Sequence, residues 1–214
     1  MWEAYDSQVA CAAVSRVEEA AQADARVYRA LAEVVAEGGA RLHGAEFRLK
    51  APSSMTRKVA VRQARAEQQG RPISAAEAAV SITDVCRYTA VAEEHDRIPE
   101  VARSVVEGLV CRGWSVQEAE QSYVAGNSYK GVHLLMCEPG GSVVEVQVHS
   151  EWSQALKDAS HVLYERSRAA ETPMGDRRAL QEESRRLWAD LPAPRGLEGM
   201  DALGGVSVRK KTYS

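Results

Sequence analysis

Arg48, Lys50, Ser54 and Lys58 fall within eleven residues, and two acids, Asp84 and Glu145, stand far from them and from each other. Cations and a hydroxyl beside the start of a helix suit several phosphate oxygens, because the free N–H groups of the helix join them. Two carboxylates on neighbouring strands suit Mg²⁺ beside a triphosphate, since that ion prefers oxygen ligands and leaves positions for substrate. A third group, Asn127, Tyr129, Lys130 and His133, precedes a strand-like run, and Glu145, Gln147 and His149 alternate with valines in the next one. A pleated strand puts those three on one face and Val144, Val146 and Val148 on the other. Each feature also has a plain reading. A basic stripe can be a solvated surface, an acid at a strand start a turn residue, and a polar row the wet side of an antiparallel sheet.

The elements that must position these residues follow from periodicity and punctuation. Residues 3–37 carry apolar positions at helical spacing, stopped by Gly38 and Gly39 and open to one break. Residues 45–50 read as a short strand with Phe47 and Leu49 facing the core and Arg48 and Lys50 sharing the other face. A helix is expected from Pro52 to about Gln69, stopped by Gly70, and a brief one over 74–80. Residues 82–91 read as a central strand entered through Asp84. A helix over 98–112 closes at Gly113, and a strand over 114–124 leads into the Gly126-Asn127 turn. Strands over 132–137 and 143–149 form a hairpin across Glu138-Pro-Gly-Gly141. Helices over 152–168 and 176–188 follow, then a Gly- and Pro-rich irregular tail with Arg209-Lys-Lys211. The order predicts an α+β fold with a mixed, about five-stranded sheet flanked by helices. One domain over 1–214 is expected, with a helical segment at 1–40, a catalytic core at 45–170 and a C-terminal helix and tail at 171–214.

With 214 residues, 45% of them hydrophobic, and a net charge of −3, the chain can bury a real core but lacks the basic surface of a nonspecific nucleic-acid binder. No apolar run approaches the roughly 18 residues of a membrane span. Cys11, Cys86, Cys111 and Cys137 show no zinc-type spacing, and their pairing is left open between buried thiols and a disulfide. Met1-Trp2 directly before helical sequence suits a start placed on a mature secreted chain, so a secreted location is expected, with the cytoplasm as the alternative.

Taken together, Arg48-x-Lys50-x-x-x-Ser54-x-x-x-Lys58, Asp84, Asn127-x-Tyr129-x-x-x-His133, Glu145-x-Gln147 and His161-x-x-Tyr164 resemble the RelA/SpoT-like synthetase domain in order and spacing. The resemblance implies transfer of the β,γ-pyrophosphate of ATP to the 3′-hydroxyl of a purine nucleotide. It implies that Arg48, Lys50, Ser54 and Lys58 hold ATP, with Arg48 stacking on adenine. It further implies that Asp84 and Glu145 bind Mg²⁺ and that Glu145 takes the proton of the attacking hydroxyl. Tyr129 would stack on the acceptor base, while Asn127, Lys130, His133 and Gln147 orient its sugar and phosphates.

The departures are informative. Many family members have an arginine five residues after the strand aspartate, where this chain has Thr89. In that respect it looks closer to small secreted nucleotide pyrophosphokinases than to long stringent-response enzymes. His95-Asp96 has no helical partner motif for a metal hydrolase site. The expected partners are ATP and purine nucleotides, with no membrane and no stable nucleic acid, and a monomer is expected. The alternative is a toxin of the same fold that modifies adenine nucleotides or an RNA 3′ end, with Arg209 to Lys211 touching the backbone.

Overall fold

The computed structural model describes residues 5–168 and 172–213. Met1 and Trp2, and the expected boundary at 170/171, lie outside the described residues. Helix α1 runs unbroken over Ser7–Glu37, its first turn capped by the Asp6 carboxylate accepting from the Gln8 N–H. Ala13, Ala20, Val27, Leu31 and Val34 form its buried stripe. Strand β1 follows at Ala40–His43, then α2 at Pro52–Gln68 and α3 at Ala75–Val80. Ser74 and Glu77 close a reciprocal capping box on α3. Strand β2 (Arg87–Ala92), α4 (Ile98–Cys111), β3 (Ser115–Gln121), β4 (Val132–Cys137) and β5 (Val143–Ser150) complete the centre. Helices α5 (Glu151–Arg168) and α6 (Met174–Ala189) precede β6 (Ala202–Leu203) and β7 (Val206–Lys210).

The strands form one mixed sheet of seven in the order β1-β2-β5-β4-β3-β7-β6. The pairs β2–β5 and β3–β7 are parallel and the rest antiparallel. The α+β class holds, with two strands more than about five. Three strands lie outside the expected set, β1 before the 45–50 run and β6 and β7 in the tail that reads as irregular, while the 45–50 strand is lost. In β7, Val206 and Val208 alternate with Ser207 and Arg209 and pack against the core beside β3.

The expected strand over 45–50 is not formed. Gly44 has φ 59°, a left-handed conformation that turns the chain into a 3-10 turn at Ala45–Phe47. Phe47 is 78% exposed instead of facing the core. What survives is a single bridge, Leu49 to Cys86, with Lys50 N–H donating to the Val85 carbonyl and Arg87 N–H to that of Arg48. The strand expected over 82–91 begins only at Arg87, so Asp84 sits in the turn before it.

One sheet face is apolar. Tyr88, Ala90, Leu134, Met136, Val144, Val146 and Val148 are buried in the same cluster as Leu31 and Val34 of α1 and Val105 and Leu109 of α4. A Cβ on Gly108 would lie 2.7 Å from Val34, so the α1–α4 contact requires glycine there. The other face carries a polar row, set by strand register: His43, Thr89, Gln147, His133, Glu120 and Arg209 lie side by side from β1 through β2, β5, β4 and β3 to β7. Arg87 and Glu145 are partners in the next row. The face that α5 partly covers is therefore the polar one.

Candidate active site

Just before β2, Lys50 and Lys58 converge on Asp84, with Lys58 Nζ 2.6 Å from Oδ1 and Lys50 Nζ 3.1 Å from Oδ2. Burial alone would raise the Asp84 carboxyl, but the two ammonium groups override it and hold it below the usual range. Burial also lowers Lys50 against the opposing pull of Asp84. Ser54, in the first turn of α2, is half-buried, and no side chain caps that helix start, so its N–H groups remain for a ligand. Arg48 is placed differently from the stacking position the motif implies. Its Nε and Nη2 donate to both Asp24 oxygens at 2.6 and 2.5 Å, its Nη1 donates to the Ala45 carbonyl, and its guanidinium lies 5.3 Å from the Tyr28 ring centre. The side chain is thus tied to α1. Asp24 carries no local signal in the sequence, since it meets Arg48 only through the fold.

Glu145 stands at the centre of the polar face. His133 Nδ1 donates to its Oε1 at 3.0 Å and Gln147 Nε2 to the same oxygen at 2.7 Å. Oε2 has no hydrogen-bond partner among the described residues, so one oxygen is held and the other left for a ligand. Burial would raise this carboxyl, yet the His133 and Gln147 bonds and the charge of Arg87 bring it down to about 2. The N–H of Glu145 donates to the Cys86 carbonyl, two residues beyond Asp84, which brings the two acids to the same end of the β2–β5 pair. His133 Nε2 is buried without a partner.

The residues expected to hold the acceptor divide into two kinds. Tyr129 does not project from the sheet edge. Its ring is half-buried among His133, His149, Trp188 and Tyr213, with centres 5.2 to 5.9 Å apart, and its hydroxyl lies 2.7 Å from His149 Nε2. His149 Nδ1 lies 3.1 Å from Ser153 Oγ, and burial keeps the imidazole well below its ordinary pKa and so neutral. A Cβ at residue 131 would lie 2.8 Å from the His149 ring, so only glycine lets the chain pass over this pair. Asn127 is buried and fully committed. Its Nδ2 donates to the Ser122 and Lys211 carbonyls, and its Oδ1 accepts from the Tyr213 N–H. Lys130, also buried, donates to the Leu191 carbonyl at 2.6 Å. Both residues bind the C-terminal part of the chain as placed.

Lys157 of α5 is absent from the motifs, yet its Nζ reaches Gln147 Oε1 at 2.7 Å and Thr89 Oγ1 at 3.2 Å. The threonine that replaces the expected arginine is thus in contact with a cation from another element. Of the motif His161-x-x-Tyr164, His161 is exposed and Tyr164 lines a cavity of about 550 Å³ between α5, α6 and the tail near Tyr213, rather than over Glu145. Among the described residues, no three His, Cys, Asp or Glu side chains gather for a metal, no helix is long and apolar enough to cross a membrane, and all four cysteines are free thiols.

No family model matches the chain, and neither does any curated protein. Among solved structures it is similar to the small alarmone synthetase 1 from Bacillus subtilis, at 16% identity and a TM-score of 0.49, over 81% of this chain and 87% of that one. It is similar to the Type VI effector Tas1, from a complex with its immunity protein, at 20% identity and 0.46, over 81% and 93%. It is also similar to a GTP pyrophosphokinase family protein from Streptococcus pneumoniae, at 13% identity and 0.47, over 80% and 83%. These are likenesses of arrangement, at identities that leave the reaction of this chain to be argued from its own residues.

Proposed function

We propose that the protein transfers the β,γ-pyrophosphate of ATP to the 3′-hydroxyl of purine nucleotides, adenine and guanine alike, releasing AMP. The observation that carries this reading is Glu145, with Oε1 pinned by two donors and Oε2 unpartnered, at the same end of the sheet as the Lys50, Lys58 and Asp84 cluster. A triphosphate arriving at the α2 start meets two ammonium groups, Ser54 and free helix N–H groups. The acceptor 3′-oxygen attacks the β-phosphorus, its proton passes to Oε2 of Glu145, and the bond from the β-phosphorus to the α,β-bridging oxygen breaks, leaving AMP. The residues fit Mg²⁺, because the ionised Asp84 and the Glu145 carboxylate offer hard oxygen ligands, and the ion would supply charge neutralisation on the transferred phosphates. Tyr129 offers an aromatic surface for a purine, and both polar ends of the nearby Gln147 are already engaged, which supports recognition by stacking over reading of one base edge.

The RNA-modifying alternative loses support from the basic tail. Arg209 pairs with Glu118 and Glu120, and Lys211 with Glu120 at 2.5 Å, so those charges are answered within the sheet. The deciding experiment is incubation with labelled ATP and each purine nucleotide in turn, followed by resolution of the products. Labelled 3′-pyrophosphorylated nucleotide together with AMP is expected. Label found only on RNA, or none transferred, overturns the reading.

A further inference from the structure

Gln147 has two chemically different ends, and which one faces Glu145 decides whether it helps or opposes that carboxylate. An ammonium group can only donate, so Lys157, 2.7 Å away, requires the carbonyl oxygen Oε1 on its side. The amide nitrogen is then the end presented to Glu145, where it donates at 2.7 Å. Turned over, the amide would bring two acceptor oxygens together at that distance. The chain Lys157 to Gln147 to Glu145, closed from the other side by His133, therefore fixes which oxygen of Glu145 is held and which is free.

Lys157 has little to do as a structural residue. Burial, joined by the charge of Arg87 and opposed by the pull of Glu145 and Asp158, lowers its pKa to about 8. A cation held in such a place opposes stability, and an apolar side chain of like length would fill the space without that penalty. Its second contact, Thr89 Oγ1, belongs to the register partner of Gln147 on β2, so the ammonium is seated between two side chains of one polar row.

We propose that Lys157 is a positioning residue for Glu145, acting through the orientation of the Gln147 amide. This rests on the reading of Glu145 as the group that takes the acceptor proton, and a base must be held in place to act. Lys157→Met is expected to lower kcat by about 10- to 100-fold, the usual loss when a supporting hydrogen-bond partner is removed, with KM unchanged for both nucleotides. Its thermal midpoint should be equal to or above that of the wild type. Lys157→Arg, which can still donate to Oε1, should recover most of the rate. In the double variant with Gln147→Ala, kcat should fall no further than in Gln147→Ala alone. Losses that multiply, a raised KM, or an unchanged kcat in Lys157→Met overturn the proposal.

A measurement independent of turnover separates this from the proposed activity. The side-chain NH₂ signals of Gln147 in ¹⁵N NMR should shift and exchange faster with solvent in Lys157→Met than in the wild type. If the wild type transfers no pyrophosphate, the proposed function falls and the amide signals still decide whether Lys157 orients Gln147. Signals that stay in place overturn the positioning contact, whatever the enzyme does.

Discussion

On the donor side, Lys50 and Lys58 direct their charge at Asp84, and all three lie where α2 begins and β2 is about to start. On the acceptor side, Asn127 and Lys130 are engaged with the Lys211, Tyr213 and Leu191 backbone, far away in the sequence. On the proposed function, the first set consists of ion pairs whose partners a triphosphate and its cation would replace. The second consists of joints that hold the C-terminal segment against the rest. The difference teaches that donor residues should be separable from stability by mutation and that acceptor residues should not.

The largest expected effect lies between the two sides. Glu145→Gln should reduce transfer by about 10²–10⁴-fold, the usual worth of a general base, with the circular dichroism spectrum unchanged. A variant that keeps more than roughly a tenth of the rate would remove Glu145 from that role. On the donor side, Lys50→Ala and Lys58→Ala should each raise the ATP concentration at half-saturation by about tenfold or more, since hydrogen bonds from charged groups contribute about 1.5–3 kcal/mol. Acceptor saturation should stay where it was. Asp84→Asn should shift the Mg²⁺ titration to higher concentration before it changes anything else, and an unchanged titration returns Asp84 to a turn residue.

The acceptor side should answer differently. Asn127→Ala leaves the Lys211 carbonyl and Tyr213 N–H without their partner and is expected to cost about 1–3 kcal/mol in urea unfolding while weakening the acceptor. Stability lost with acceptor saturation untouched would break the comparison on that side. Acid should act on the centre. Glu145 is held at about 2 against an ordinary 4.5, so its stabilising contribution is complete above about 4.5 and disappears as the pH falls towards 2. Glu138, brought to about 2 by its bond to Arg26, behaves likewise. Glu145→Gln should therefore reduce, but not abolish, the drop in urea midpoint between pH 6 and pH 3. The smallest effect is expected at Ser54→Ala, about two- to tenfold in ATP half-saturation, as for one neutral hydrogen bond.

Much of the centre was legible because its signals are local. The valine alternation of β5 sets Glu145 and Gln147 on one face, the Glu138 to Gly141 turn makes the β4–β5 hairpin, and Pro52 and Gly70 bound α2 closely. Residues 45–50 read as a strand because Phe47 and Leu49 alternate with Arg48 and Lys50, and nothing local says that Gly44 takes a left-handed turn there. The β6–β7 hairpin has a local signal, Gly204-Gly205 followed by the alternating Val206-Ser-Val-Arg209, which the surrounding prolines and glycines mask as an irregular tail. The commitments of Asp24 to Arg48, of Lys157 to Gln147 and of Asn127 to the tail join residues 24, 10 and 86 positions apart, and spacing along one element cannot reveal them.

The pairing of β7 with β3 has a kinetic side. Lys211 N–H donates to the Gln121 carbonyl, and its Nζ meets Glu120 across 91 positions of chain. Contacts closed over so long a loop come late in folding, because the entropy of closure must be met before they yield anything. The β4–β5 hairpin, by contrast, closes over a four-residue turn and can form early. During refolding the protein should regain its β4–β5 hairpin before the Tyr129 environment, which includes Tyr213, is complete.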